Sequence, residues 1–310
     1  MGSDAIELAA GQYRAIIGRK GATLQRLTWC GGDLIWGGDS DSTGEGAEGV
    51  GAFQGRLMAP WPNRVDKGRY TFEGTEYQLE ITDPERGTAI HGLVHSRLWT
   101  PHDITPTHVR LTYDLDGEPG YPFPLELAVD YRIHPASGLS VLATARNVGS
   151  TSAPYGFGAH PYLTVGVPLD EATLHLPARL RLPVDERLLP TGPPQNVAGT
   201  EYDFRAPRRI GETVFDTAFT GLRPGIEGRS WTVLAGPDHG VGLWADSSCG
   251  WLQVYSADGL PGPAHRSALA VEPMTCPPNA LATGRGLRVL GPGDRSEARF
   301  GIRMMAPTLG

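Results

Sequence analysis

Short alternations of apolar and polar residues, cut every few positions by glycine or proline, run the length of this 310-residue chain. Side chains that alternate with a period of two line opposite faces of a strand, so each stretch must lay one face on another layer. Val109-Arg110-Leu111-Thr112-Tyr113-Asp114-Leu115 gathers its apolar residues on one face. Leu125, Leu127, Val129, Tyr131 and Ile133 do the same, with Glu126, Asp130 and Arg132 pointing away. Tyr70, Phe72, Tyr77 and Leu79 flank Glu73-Gly74-Thr75, a hairpin signature. A second hairpin is marked by Gly236-Pro237-Asp238-His239-Gly240, between the apolar stretches 231–235 and 241–245. Glycine (42) and proline (27) are abundant because so many short strands need so many turns. No stretch carries the periodicity of a three-turn helix. The pattern predicts an all-β fold, a large antiparallel β sandwich formed by one domain over residues 1–310. Residues 37–51, rich in glycine and acid, read as a flexible loop, and residues 183–212, with five prolines, as a long irregular connection.

Charge and cysteine usage exclude several classes. A net charge of −7 offers no basic footprint for nucleic acid. Cys30, Cys249 and Cys276 form no CxxC pair and are odd in number, which argues against a secreted disulfide scaffold and for a reducing cytoplasm. The N-terminal residues lack the basic and apolar regions of a signal peptide, and no run approaches the roughly 18 apolar residues of a membrane span. Neither a membrane nor a nucleic acid is expected as a partner, and oligomeric state has no sequence signal.

Several motifs have literal matches that their surroundings reject. Gly44-Glu45-Gly46-Ala47-Glu48-Gly49 fits a dinucleotide fingerprint, but no strand–turn–helix surrounds it and two glutamates would repel a pyrophosphate. His91 and His95 stand four apart without HExxH, so a packing role for His95 is favoured over a metal site. No GxSxG elbow occurs, and Cys276 reads as a small buried residue.

Two segments far apart in the chain carry the chemistry. Ala159-His160-Pro161-Tyr162-Leu163 offers an imidazole, and Glu272 opens a turn-rich segment reaching Ala280. Both read as loop-borne groups on a rigid scaffold. A histidine can donate a proton near neutral pH and a carboxylate can accept one. Trp61-Pro62-Asn63-Arg64-Val65 adds amide and guanidinium donors suited to hydroxyls, and His91 closes a turn-rich segment where side chains can converge.

Taken in order, these segments resemble the aldose 1-epimerase (galactose mutarotase) family. The likeness starts at Gly21-Ala22-Thr23-Leu24-Gln25-Arg26-Leu27 and continues through Gly55-Arg56, Asn63-Arg64-Val65 and Gly68-Arg69-Tyr70-Thr71-Phe72-Glu73-Gly74. Ile90-His91-Gly92, His160-Pro161-Tyr162-Leu163, Phe215-Asp216-Thr217-Ala218-Phe219 and residues 272–280 follow. The resemblance implies a galactose mutarotase-like supersandwich and the interconversion of α and β anomers of a free aldohexose. It implies no cofactor and no metal. It assigns His160 as general acid, Glu272 as general base, and Asn63, Arg64, His91 and Asp216 as sugar-binding residues. Under that assignment His160 works protonated and Glu272 ionised. Many family members carry asparagines just before the His-Gly pair, where this chain has Gly87-Thr88-Ala89-Ile90. Arg56, Arg64, Arg86 and Arg97 keep open a relative acting on hexose 6-phosphates, since arginine forks suit phosphate. From another class, a sugar-binding protein could keep the fold without turnover.

Overall fold

In the computed structural model, residues 5–37 and 53–307 are described. Among them the chain is built almost wholly from antiparallel strands, with one four-residue α-helix, Ala280–Thr283. A nine-stranded sheet runs in the order Thr100–Thr105, His108–Leu115, Leu125–His134, Gly138–Asn147, Arg295–Met305, Gly240–Ala245, Ser230–Ala235, Thr173–His175 and Arg208–Arg209. An eight-stranded sheet contains, side by side, Ala178–Arg181, Asp216–Leu222, Trp251–Tyr255, Leu269–Met274, Gly158–Ala159 and Leu57–Met58. The N-terminal strands Ala5–Ala10, Tyr13–Gly18 and Thr23–Trp29 head a four-stranded sheet. The all-β antiparallel architecture expected from the alternation is what the chain forms.

The two long central strands show why. In Leu125–His134 and Gly138–Asn147 the residues Leu127, Val129, Tyr131, Leu139, Val141 and Ala145 are buried on one face, while Glu126 and Arg132 are exposed on the other. Each fully buried aliphatic or aromatic side chain of this kind contributes roughly 1.5–3 kcal/mol relative to exposure. Asp130 departs from the expected pattern. It faces away from the core yet is buried, because His108 (2.8 Å) and Arg110 (2.7 Å) cover its two oxygens. Tyr131 reaches across to the N-terminal sheet, where its hydroxyl donates to the Ala22 carbonyl at 2.6 Å.

Both expected hairpins form. Arg69–Phe72 and Thr75–Gln78 pair across Glu73 and Gly74, which have φ of 48° and 80°, the left-handed pair a tight two-residue turn requires. Ser230–Ala235 pairs with Gly240–Ala245, and the turn closes with Gly236 N–H donating to the His239 carbonyl at 2.9 Å. Residues 183–212 are largely irregular, as expected, with two short pairings at Gln195–Asn196 and Arg208–Arg209. The Gly44–Gly49 motif, and residues 37–51 apart from Gly37, lie outside the described residues.

Candidate active site

Glu272 sits in the middle of the buried strand Leu269–Met274, not on a loop as the turn-formers after it suggest. Its neighbour on one side is Trp251–Tyr255, where Gln253 is the residue directly opposite. On the other side the partner strand is interrupted. Gly158 pairs with Met274 and Tyr162 with Ala270, so the unbroken register places His160 opposite Glu272. There the chain leaves the sheet, and His160 N–H donates to the Arg56 carbonyl (3.0 Å) while its own carbonyl accepts from Gly55 (2.9 Å). The imidazole Nε2 lies 3.3 Å from Glu272 Oε1. Both side chains are buried, 7% and 2% exposed.

The other expected residues gather round this pair from three elements. Asp216 begins the strand Asp216–Leu222 and accepts from Gln253 Nε2 at 2.7 Å. Arg64 begins Arg64–Asp66, and its Nε donates to Asp83 Oδ2 at 3.0 Å. Its positive charge reaches Asp216, Glu272, His91 and His160, and bears on the protonation of each. Asn63 serves as an elbow. Its side-chain oxygen accepts from the Arg64 N–H (2.8 Å), and its carbonyl from the His91 N–H (3.0 Å). His91 and Gly92 turn the chain with φ of 62° and 73°. A Cβ on Gly92 would stand 2.1 Å from the Ala59 carbonyl oxygen, so only glycine fits beside this histidine. Thr88, Ala89 and Ile90 form a short buried strand.

His91 and His95 lie on neither a helix nor a strand but in a run of turns. Among the described residues no group of three or more His, Cys, Asp or Glu side chains is arranged to hold a metal ion. His95 packs against Phe53, with ring centroids 5.0 Å apart, in line with a packing role. Cys276 is buried, and burial pushes its thiol up to about 12, far from a reactive thiolate.

Burial dominates the electrostatics. It depresses His160 to about 4, with Arg64 adding to the effect and backbone polarity only partly opposing it. It raises Glu272 well above the ordinary carboxylate range, helped by Asp216 and opposed by Arg64. It raises Asp216 against the pull of Arg64 and Gln253, and it lowers His91 well below the usual imidazole range. A separate imidazolium and carboxylate with ordinary values, the sequence expectation, is therefore not the arrangement that burial favours. Burial favours the neutral form of each, an imidazole beside a protonated carboxyl, which leaves the pair with one proton.

Several buried polar atoms in this region have no hydrogen-bond partner in the protein: His91 Nδ1, His160 Nδ1, Glu272 Oε2 and Gln253 Oε1. Buried polar groups are normally satisfied, so their convergence marks a place built to receive hydroxyls. Gln253 escaped the sequence reading because a lone glutamine in an apolar strand has no motif; only its register opposite Glu272 reveals it. Phe53, whose ring lies 4.5 Å from that of His91 and 6.3 Å from that of His160, escaped because aromatic residues are common in cores. A cavity of about 330 Å³ lies elsewhere, on the outer face of the nine-stranded sheet, lined by Arg110, Glu126, Thr144, Arg146 and Arg295. Arg146 there pairs with Glu126 at 3.3 Å, and no acid–base pair like that of His160 and Glu272 faces it.

The family model for aldose 1-epimerase matches residues 4–303. The chain belongs to the aldose 1-epimerase family. It is 37% identical over 298 residues to the uncharacterized protein YihR of Escherichia coli, covering 96% of this chain and 92% of that one. It is 32% identical over 179 residues to the galactose mutarotase of Sus scrofa, covering 56% of this chain and 50% of that one. The match to that enzyme thus spans about half of its length. Among solved structures, a GalM/aldose epimerase homologue from C. elegans superimposes with a TM-score of 0.87 at 21% identity, over 99% of this chain and 100% of that one. A galactose 1-epimerase from Lactobacillus acidophilus gives 0.80 at 22%, over 96% and 93%. At those identities the likeness is one of fold. Members of the aldose 1-epimerase family are isomerases that act on sugars. Among the described residues no helix is long and apolar enough to cross a membrane.

Proposed function

We propose that this chain is an aldose 1-epimerase that interconverts the anomers of a free aldohexose, with His160 as general acid and Glu272 as general base. The observation that carries the reading is the buried contact of His160 Nε2 with Glu272 Oε1 at 3.3 Å, in a region of unpartnered polar atoms. The Glu272 carboxylate takes the proton of the C1 hydroxyl. The O1 electron pair becomes the second bond of the C1 carbonyl, the C1–O5 bond breaks, and O5 takes the proton of His160. Rotation about C1–C2 presents the other carbonyl face, and the reverse transfers close the ring. The pair holds one proton before ring opening and one after it, moved from imidazole to carboxyl. Burial that favours neutral groups therefore favours the state that accompanies the open-chain aldehyde. Side-chain proton transfer suffices for this reaction without a metal or redox carrier. Asn63, Arg64, His91 and Asp216 hold the sugar, with Gln253 fixing Asp216.

A free sugar is preferred over a hexose 6-phosphate because three of the four arginines suited to phosphate are held by carboxylates, Arg56 being the exception. Arg64 pairs with Asp83 at 3.0 Å, Arg86 with the same carboxylate at 3.6 Å, and Arg97 with Glu118 at 2.6 Å. The name of the galactose mutarotases among the relatives agrees with the same class of substrate. Anomer exchange followed by NMR over free and 6-phosphorylated hexoses tests the reading. Faster exchange of a free hexose, lost in Glu272→Gln, is expected. A clear preference for the phosphorylated sugar would overturn the substrate class, and wild-type exchange by folded Glu272→Gln would overturn the catalytic assignment.

A further inference from the structure

A histidine that moves protons is usually oriented by a hydrogen bond at its second ring nitrogen. No other residue supplies one to His160: Nδ1 is buried with no hydrogen-bond partner of good geometry, and only the polarity of its own backbone bears on it. Something else must keep Nε2 turned toward Glu272. Two aromatic rings lie nearly parallel to the imidazole. The Tyr162 ring stacks at 5.0 Å with 15° between planes, and the Phe53 ring at 6.3 Å with 18°. The edge of His91 meets His160 from a third direction, with centroids 5.3 Å apart and planes at 74°.

Each stacking ring is itself fixed. Tyr162 is buried, and its backbone pairs with Ala270 of the strand that carries Glu272. The Trp36 ring packs edge-on against it at 6.0 Å, and the Trp36 backbone N–H donates to the Tyr162 carbonyl at 2.8 Å. Phe53 rests on His91 at 4.5 Å and on His95 at 5.0 Å. The stack therefore connects the imidazole to the strand of Glu272 on the Tyr162 side and to the His91–His95 turns on the Phe53 side.

We propose that Tyr162 and Phe53 are positioning residues, which hold the His160 imidazole edge-on to Glu272 by stacking in place of an orienting hydrogen bond. This rests on the reading of His160 as the acid, and one of its tests does not use turnover. Phe53→Leu keeps apolar volume at a half-buried position but removes the flat face, and Tyr162→Leu does the same from the other ring. Tyr162→Phe keeps the face and loses only the hydroxyl. Stacked aromatic contacts have energies that correspond to rate effects on the order of 10-fold. Phe53→Leu and Tyr162→Leu should each lower kcat for anomer exchange by about that factor, with KM changed less than about 3-fold. Tyr162→Phe should keep wild-type kcat.

The independent readout is the two-bond ¹H–¹⁵N spectrum of His160, recorded without sugar. The wild type and Tyr162→Phe should show one ring tautomer, and the two leucine variants a mixture. If both leucine variants keep wild-type kcat and a single tautomer, the proposal fails. It also fails if Phe53→Leu raises KM alone, because Phe53 would then be a sugar contact. Should His160→Asn retain full turnover while the leucine variants scramble the tautomer, the acid assignment falls and the stack stands as the cause of ring orientation only.

Discussion

At the scale of single residues, the His160–Glu272 contact sets the pH behaviour. Burial depresses the imidazole to about 4 and raises the carboxyl, so the one-proton form of the pair spans the region between. kcat/KM should rise through an acid limb near pH 4 as the second proton leaves. It should hold a plateau and fall only when the shared proton is lost, above the ordinary carboxylate range. A profile with limbs at the reference values, near 4.3 and 6.5, would show that burial does not govern the pair. Glu272→Gln and His160→Asn keep approximate shape but remove proton exchange. Each should cost on the order of 10²–10⁴-fold in turnover, measured against the spontaneous rate of the sugar. Arg64 touches no reacting atom in the proposed reaction, so Arg64→Ala should raise KM by about 10-fold or more and change kcat less. The identities of these residues were legible in the sequence because each sits in a short ordered motif. Their protonation was not, since burial comes from strands distant in the chain.

At the scale of elements, strands and hairpins were readable because period-two alternation and turn residues are local signals. The fold brings His160 to Glu272 through register, which is not local: Gly158–Met274 and Tyr162–Ala270 belong to segments with no sequence feature in common. The same limit hid Gln253 and put Glu272 on a strand where its proline-rich sequel suggested a loop. The turn at His91-Gly92 is sensitive to a small change. Gly92→Ala would place a methyl group 2.1 Å from the Ala59 carbonyl at a φ of 73°. It should destabilise the fold by about 2 kcal/mol or more, read from the urea midpoint. It should also lower sugar affinity, because His91 turns with it.

At the scale of the whole molecule, buried neutral histidine opposes acid. His95 is held at about 4 by burial and by Arg56, well under its unfolded value of about 6.5. The unfolded chain therefore binds more protons than the folded one between those values. The resulting stability is present above about pH 6.5 and lost as pH falls toward 4. Its size is on the order of 2 kcal/mol after allowance for partial exposure. His95→Gln should flatten that part of the curve of unfolding free energy against pH. An unchanged slope would mean that His95 takes up its proton as readily in the folded protein as in the unfolded chain. The strand carrying Glu272 pairs with residues 158–163 on one side and 251–255 on the other, and the other site residues all precede it in the sequence. In a chain emerging from the ribosome, His160 is made long before the Glu272 that faces it. Until Leu269–Met274 is added, the strands on both sides of it carry unpaired edges. A chain truncated before residue 269 should therefore show no anomer exchange under the proposed function and, by its open edges, aggregate more readily than the full chain.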